Sequence, residues 1–274
     1  ELPGLRQAWE KEVAARLKED RPVWLGLEPT SVVSAGGATF TRQEDASWLA
    51  GGKTPPHDTY TITAPLAAGG FSGLRLESLP DASLPNQSLG RAFNGNFVLT
   101  AVEAEISAPS LTKPIALKFT RAEASFEQPG YPVSTLLDAS PSNGWAIAGN
   151  DPANRLPRQA MFLTAAVTEV PAEAVLTVRL KHASQFAGHN IGRFRLETTG
   201  LPPGEVQLGG LAVPEAVRTA LEKSEAERSE AEHEALAKYF LESGAHPAAK
   251  IEAEIAALKK ELAEVEASKP ITMV

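Results

Sequence analysis

The chain of 274 residues has no cysteine, and aromatic residues make up only 6% of it. The absence of cysteine excludes disulfides, zinc–thiolate centres, thiolate catalysis and covalently attached haem within this chain. Basic residues are fewer than acidic ones, 26 against 34, and the formal net charge is −8. So little positive charge argues against nucleic acid or an anionic membrane as the main partner. No run of about 18 apolar residues occurs, so the sequence predicts no membrane span.

The central part of the chain, from about residue 23 to 199, alternates apolar and polar residues in short segments. A period of two is typical of strands, and the segments are bounded by residues that favour turns. The segments are 38–41, 59–63, 74–79, 97–106, 115–119, 161–163, 175–180 and 193–198. No long helical pattern interrupts them, which argues against a parallel α/β sheet. We therefore expect a mainly β chain, with an antiparallel β-sandwich or jelly roll over residues 23–200.

A short helix is predicted before the sandwich, within an N-terminal segment of residues 1–22. An apolar residue recurs at every fourth position over residues 5–19, which predicts one apolar stripe along a helix. The stripe consists of Leu5, Trp9, Val13 and Leu17. Pro22 follows the pattern and limits it, because the residue before a proline resists helical geometry.

Two apolar seams with the heptad spacing of a coiled coil lie in the last segment, residues 201–274. The first seam is Ala226, Ser229, His233, Leu236 and Phe240, and the second is Ile251, Ile255, Leu258, Leu262 and Val265. Between them, Gly244 suits a left-handed helix end and Pro247 suits the first turn of a new helix. We therefore predict an antiparallel helical hairpin. Its first seam is weak, so the first helix is expected to lean on another part of the molecule.

Four stretches of the central region, in this order, resemble one protein family. They are residues 60–62, residues 74–77 with 90–99, residues 137–138 with 144–147, and residues 188–196. The most specific pieces are Gly-Arg-x-x-Asn-Gly-Asn-Phe and Gly-Arg-Phe-Arg. Together they resemble the central region of large planctomycete-type proteins that carry cytochrome-c-like, DUF1549 and DUF1553 domains. The resemblance implies a piece of a longer protein, a periplasmic or extracellular setting, and a sandwich similar to galactose-binding-like carbohydrate-binding modules, with any haem outside this chain.

The stretch from residue 124 to residue 145 also resembles the opening of discoidin-type modules, whose loop before a tryptophan commonly holds a structural calcium ion. Here that loop offers three oxygen ligands, Asp138, Ser140 and Asn143. Calcium takes six to eight oxygen ligands, many of them from a tight loop. Calcium is therefore the one cofactor expected. The alternative interpretation is an Asx-type turn before a strand.

Six residues are candidates for contact with a sugar. Arginine and asparagine supply directed donors and acceptors for hydroxyl groups, and an aromatic ring can stack on a pyranose ring. The predicted ligand-binding residues are Trp48, Arg91, Asn94, Asn96, His189 and Arg193. The residues between 80 and 96 also have a structural interpretation, because Asn-Gly is a common turn dipeptide and an arginine can be held inside a fold.

No catalytic constellation is visible, since the sequence has no phosphate loop, dinucleotide fingerprint or Gly-x-Ser-x-Gly motif. We therefore predict that the chain is not an enzyme. The leading hypothesis is a glycan-binding module that positions a larger extracytoplasmic protein on polysaccharide. The alternative is a structural spacer whose hairpin docks against flanking cytochrome-like and DUF1553 domains. The loop around residues 80–96 distinguishes the two, because a wet groove favours the first and a packed loop favours the second.

Overall fold

The computed structural model describes residues 2–19, 22–138 and 143–243, together with residues 248, 251, 255, 258, 259 and 262. The helices of the three long ranges are α1 (Leu2–Glu19), α2 (Glu215–Glu222) and α3 (Glu230–Glu242). The strands are β1 (Leu25–Gly26), β2 (Ser31–Ser34), β3 (Ala38–Arg42), β4 (Trp48–Gly52), β5 (Asp58–Leu66), β6 (Gly69–Ser78), β7 (Val98–Leu99), β8 (Ala101–Ser107), β9 (Ile115–Leu117), β10 (Phe119–Ala124), β11 (Trp145–Ala146), β12 (Arg158–Val170), β13 (Ala174–His182), β14 (Arg193–Thr199), β15 (Val206–Gln207) and β16 (Gly210–Leu211).

Two antiparallel sheets make up the central region. The first has the strand order β10-β12-β6-β14-β4-β3, with β1 also paired to β14, and the second has the order β2-β5-β13-β8-β9. Strand β13 is central in the second sheet, and Val178 lies opposite Ile62 on one side and Ala104 on the other. Every second residue of β13 is buried, as period-two alternation requires of a strand with one face on the core. The prediction of a mainly β chain with antiparallel sheets is confirmed.

The sandwich core is built from large side chains of both sheets and of the strands between them. Trp145, on β11, is fully buried, and its ring meets Phe97 edge to face with centroids 5.1 Å apart. The indole N–H of Trp145 donates to the carbonyl oxygen of Phe126 at 2.9 Å. Burying an aromatic ring of this size stabilises the fold by about 2–3 kcal/mol, provided that its polar atom keeps a partner.

One histidine lies inside this core. His182, the last residue of β13, is 2% exposed, and its ring packs on Tyr60 with centroids 4.7 Å apart. Its Nε2 accepts a hydrogen bond from the backbone N–H of Ile191 at 3.3 Å. Burial lowers the pKa of His182 from 6.5 to about 3, because a charged imidazolium is poorly solvated there. The side chain is therefore neutral in the folded protein at neutral pH.

The three helices form a second core, which we call the helix unit. Trp9 and Val13 of α1 meet Val217 of α2 and Phe240 of α3 there. The ring of Trp9 lies 5.3 Å from that of Phe240. A separate small apolar cluster, which consists of Trp24, Met161, Leu163 and Val206, lies on the outer face of the first sheet. The N-terminal helix and the segment after the sandwich thus pack together.

A buried carboxylate ties α1 to the rest of the helix unit. Glu205 is fully buried and accepts hydrogen bonds from the indole N–H of Trp9 at 2.5 Å and from Nη1 of Arg16 at 2.6 Å. The other side of Arg16 pairs with Glu12, whose side chain is 66% exposed. Burial raises the pKa of Glu205, and the two hydrogen bonds act against that rise. Such a pair is sensitive to loss of one member, because the remaining charge stays buried alone.

Helix α3 begins later than the first heptad seam predicts. Ser229 is its N-cap, and a capping box links the Ser229 and Glu232 side chains to each other's backbone. Ala226 and Ser229 therefore precede the helix, while Leu236 and Phe240 of the seam are buried in the helix unit. As expected of a weak seam, this helix packs on other elements, namely α1 and α2.

The second predicted helix lies largely outside the described residues, as does the turn at 244–247. Of the second seam, Ile251, Ile255, Leu258 and Leu262 are described, and each is helical and exposed. The antiparallel hairpin stays a prediction, as does the assignment of the sandwich as a galactose-binding-like jelly roll.

We predict that Glu205→Ala lowers the free energy of unfolding of the helix unit by about 3–5 kcal/mol, because Arg16 is left buried without its carboxylate. The matched control is Glu12→Ala, which removes the exposed partner of the same arginine and should cost less than about 1 kcal/mol. Limited trypsin digestion at Lys11 and Lys18, which are both exposed, measures release of α1. Equal cleavage rates in the two variants would show that Glu205 does not hold the helix.

We also predict that His182 makes the free energy of unfolding fall at acidic pH. Its folded pKa lies below the ordinary value of 6.5, so the unfolded chain binds the proton first as the pH falls. Stability is therefore complete above about pH 6.5 and is lost towards pH 3 by about 1.4 kcal/mol per pH unit.

Urea unfolding at pH 7, 6 and 5 checks this expectation. His182→Gln keeps an acceptor for the N–H of Ile191 and should show a shallower fall of stability between pH 7 and 5. Val178→Ala, on the same strand and equally buried, should lose about 2 kcal/mol at every pH and keep the wild-type slope. Parallel pH profiles of the wild-type and His182→Gln proteins would contradict the assignment.

Candidate functional site

The connections between strands gather at one end of the sandwich, which we call the loop end. Strand β6 ends at Ser78, opposite the start of β12 and the start of β14, and β13 ends at His182, opposite the start of β5. The described segments at this end are 53–57, 79–97, 125–138, 147–157 and 183–192. Loops held by a rigid sheet are common locations for binding residues. Arg91, Asn94, Asn96 and His189 all lie there.

The loop around residues 80–96 is packed and does not form a wet groove. Leu89, Gly90 and Ala92 are buried, and so is Asn96 at its end. Gly90 is required by close packing, since a Cβ atom there would stand 1.9 Å from the carbonyl oxygen of Asn96. Asn94 turns the chain by accepting the backbone N–H of Asn96 at 3.0 Å. The packed loop is the outcome that favours the spacer hypothesis.

Asn96 uses its amide to hold two neighbouring loops together. Its Oδ1 accepts the backbone N–H groups of Ile147 at 3.2 Å and Gly149 at 3.3 Å. Its Nδ2 donates to Oε1 of Gln128 at 2.9 Å. A buried amide with this many partners is satisfied internally. The side chain has little capacity left for a sugar hydroxyl.

Arg91 is also directed into the protein. It is 8% exposed, and its Nη2 donates to the carbonyl oxygens of Gly51 and Gly52, both at 3.0 Å. Its backbone N–H donates to the carbonyl oxygen of Asn190 at 2.9 Å. Arg91 therefore fastens the long loop to the end of β4 and to the segment that precedes β14.

Arg193 and Trp48 both lie where β14 meets β4; Arg193 pairs with Leu49, and Trp48 pairs with Phe194. Arg193 forms ion pairs with Asp45 at 2.9 Å and Asp81 at 3.2 Å. The hydrogen bond from the Ser47 hydroxyl, aided by Arg193, lowers the pKa of Asp45 to about 2 against the opposing effect of burial. Trp48 is half-buried against the sandwich core rather than projecting from it, and its indole N–H is buried without an acceptor among the described residues.

Three rings at the loop end form what we call the aromatic patch: Tyr131, Phe186 and His189. Phe186 is 40% exposed, and its ring centroid lies 6.4 Å from that of Tyr131 and 5.6 Å from that of His189. His189 Nδ1 lies 3.2 Å from the carbonyl oxygen of Ala187, so this nitrogen is assigned as the donor. In the neutral ring, Nε2 is then the acceptor. His189 was predicted from sequence, but Tyr131 and Phe186 were not.

Backbone hydrogen bonds fix the loops that carry the aromatic patch. The N–H of Gly188 donates to the carbonyl oxygen of Pro56 at 2.9 Å, and the N–H of Val98 donates to the carbonyl oxygen of His189 at 2.9 Å. On the other loop, the N–H of Tyr131 donates to the carbonyl oxygen of Gln128 at 2.8 Å. The rings are therefore held in place before any ligand arrives, which reduces the entropy cost of binding.

Two of the three predicted calcium ligands can be described. Asp138 and Asn143 are both exposed, and Ser140 lies outside the described residues. Nδ2 of Asn143 donates to the carbonyl oxygen of Gly130 at 3.2 Å. Among the residues that the structure describes, no three His, Asp or Glu side chains come together as a metal-binding group. The calcium site stays a prediction, and no step of the function below depends on it.

We predict that Asn96→Ala lowers the free energy of unfolding by about 2–3 kcal/mol, because two buried N–H groups lose their acceptor. Asn94→Ala is the matched control at the same turn, where the side chain is half-buried and accepts one hydrogen bond. This control should cost about 1 kcal/mol or less. Chemical denaturation measures the free energy of unfolding of both variants. A loss in Asn96→Ala no larger than that in Asn94→Ala would contradict the structural role of Asn96.

No helix in the described part of the chain is both long and apolar enough to cross a membrane. A scan against protein-family models matches no family, and a search of the curated proteins finds no match. The resemblance to planctomycete-type proteins with DUF1549 and DUF1553 domains therefore stays a prediction, and the function is argued from the site alone.

Proposed function

We propose that this chain is a non-catalytic glycan-binding module of a larger extracytoplasmic protein, and that it contacts polysaccharide through the aromatic patch. The observation that carries the proposal is the exposed ring of Phe186, held between Tyr131 and His189 on loops fixed by backbone hydrogen bonds. An aromatic face that is exposed and already ordered suits the apolar face of a pyranose ring.

Two polar atoms of the aromatic patch could form directed hydrogen bonds with a sugar that stacks on Phe186. The hydroxyl of the half-buried Tyr131 and Nε2 of His189, a residue that is 9% exposed, have no hydrogen-bond partner among the described residues. A phenol both donates and accepts, and an unprotonated imidazole nitrogen accepts. Together they match the mixed donor and acceptor character of sugar hydroxyl groups. With one main stacking ring and two such atoms, affinity is expected to be weak, with a Kd on the order of 1 mM.

A non-catalytic role agrees with how the charged groups of this end are used. Asp45 and Asp81 are paired with Arg193, and His182 is sealed in the core. A general acid or base needs to reach the reacting group directly or through one water molecule. The aromatic patch itself contains no carboxylate.

A second candidate function, the structural spacer, is favoured by a separate observation. The side chains of Asn96 and Arg91 form their hydrogen bonds inside the protein. Glu205 fastens the N-terminal helix to the segment after the sandwich. A module built in this way would hold neighbouring parts of a longer chain at a fixed position on the helix unit.

Affinity gel electrophoresis of the full chain tests the glycan proposal with neutral and acidic polysaccharides cast in the gel. The wild-type protein should be retarded by at least one of them, and the double variant Tyr131→Ala/Phe186→Ala should lose that retardation. The matched control is Phe93→Ala, which removes a ring that is 88% exposed but lies outside the aromatic patch.

The control variant is expected to migrate as the wild-type protein does. Retardation lost equally in Phe93→Ala would indicate nonspecific adhesion to exposed rings and would contradict the assigned patch. No retardation of the wild-type protein by any polysaccharide would leave the spacer as the better account.

A further inference from the structure

A polar cavity of about 410 Å³ lies in the helix unit, between α1, α2 and the turn that joins β15 to β16. Its lining includes two arginines, Arg16 and Arg218, together with Gly209, Gly210 and Leu211. We call it the arginine pocket. We propose that the arginine pocket binds an oxyanion, either free or carried on a small organic group such as a sugar acid.

The two arginines differ in how much of their charge is already balanced. Arg16 pairs with Glu205 at 2.6 Å and with Glu12 at 2.8 Å. Arg218 donates from Nε to the carbonyl oxygen of Val213 at 3.0 Å, and no carboxylate among the described residues forms an ion pair with it. The Arg218 guanidinium thus holds one fixed hydrogen bond, while its two Nη groups remain available to a ligand.

The geometry of guanidinium selects the class of ligand. Its planar set of N–H donors matches two oxygens of a carboxylate, sulfate or phosphate, and such charge-assisted pairs are among the strong hydrogen bonds of proteins. Fixing Nε on Val213 orients the remaining fork, so less freedom is lost when an anion binds. Because Glu12 and Glu205 already balance the charge of Arg16, the attraction of the cavity for an anion rests on the guanidinium of Arg218.

The size and wall of the cavity also fit a ligand larger than a bare ion. About 410 Å³ lies within the range of cavities that hold small molecules. A Cβ atom placed on Gly209 or Gly210 would meet no other atom within 4 Å, so this wall is open backbone that a ligand can approach closely. Leu211 adds an apolar surface for the carbon skeleton of a sugar acid.

The arginine pocket does not depend on the glycan function proposed above. It lies in the helix unit, whereas the aromatic patch lies on loops at one end of the sandwich. The two proposals therefore fail separately. Loss of the aromatic patch should leave anion binding intact, and loss of Arg218 should leave retardation by neutral polysaccharides intact.

Isothermal titration calorimetry of the full chain tests the pocket, with sodium sulfate, sodium glucuronate and glucose as probes and sodium chloride keeping the ionic strength constant. Wild-type protein should bind sulfate or glucuronate saturably with one site, and should not bind glucose there. Saturation by sulfate indicates a free tetrahedral anion as the ligand, whereas saturation by glucuronate alone indicates a carboxylate carried on a sugar.

Arg218→Gln should weaken binding by about tenfold or more, because a charge-assisted hydrogen bond is removed. Arg218→Lys, which keeps the charge but loses the fork, should fall between this variant and the wild-type protein. Arg42→Gln is the matched control, since Arg42 is a half-exposed arginine of the sandwich that pairs with Glu28, and it should bind as the wild-type protein does.

Circular dichroism confirms that each variant is folded before titration. Two results would overturn the proposal. One is the absence of saturable binding of either anion by the wild-type protein at constant ionic strength. The other is a binding constant in Arg218→Gln equal to that of the wild-type protein, with both proteins folded.

Discussion

A long loop can be buried only if its backbone polar groups find partners inside the protein, and this constraint shapes the loop end. The backbone of segment 79–97 meets it largely with backbone partners, as in the hydrogen bonds from Gly90 N–H to Gly95 and from Arg91 N–H to Asn190, and side chains of the segment satisfy backbone groups of its neighbours. Asn96 accepts two N–H groups from the opposite loop, and Arg91 donates to two carbonyl oxygens of β4. Residue types that would suit a sugar ligand are thereby consumed in holding the loop closed. The ring of Phe186, in a neighbouring loop of the same end, is left 40% exposed.

In the helix unit, one side chain likewise satisfies several partners. Glu205 is shared by Trp9 and Arg16, so a single carboxylate orients the indole and the guanidinium of α1 at once. Because Arg16 is balanced in this way, it can line a cavity without leaving a bare buried charge. Arg218, which forms no ion pair with a carboxylate in the described part of the chain, is the second arginine that lines the cavity. The same interaction that docks the helix thus also shapes the chemistry of the space next to it.

Period-two alternation predicted the strands well, because a sheet with one buried face imposes that pattern directly on the sequence. The segment 193–198 became β14, and 175–180 lies within β13. Helix α1 was predicted from its stripe, although Leu5 is exposed and only the middle of the stripe is buried. The start of α3 was placed too early, since the capping signal of Ser229 and Glu232 outweighs the heptad spacing.

The candidate site was harder to predict because contacts between distant loops decide which polar residues face outwards. Nothing near Asn96 in the sequence indicates that its amide meets Ile147 and Gly149. Phe186 gave one usable signal, since it is a large ring in a segment without strand alternation, between Gln185 and Ala187. The pairing of Phe186 with Tyr131 depends on tertiary structure and has no counterpart in local spacing.

The packing of α1 against α3 has a mechanical consequence. Trp9 near the start of the described chain touches Tyr239 and Phe240 near residue 243. Tension applied between residues 2 and 243 would therefore load the seam between these two helices before it reached the hydrogen-bonded strands. The helices would part first, and only then would the load reach β1 and β14, which pair with each other.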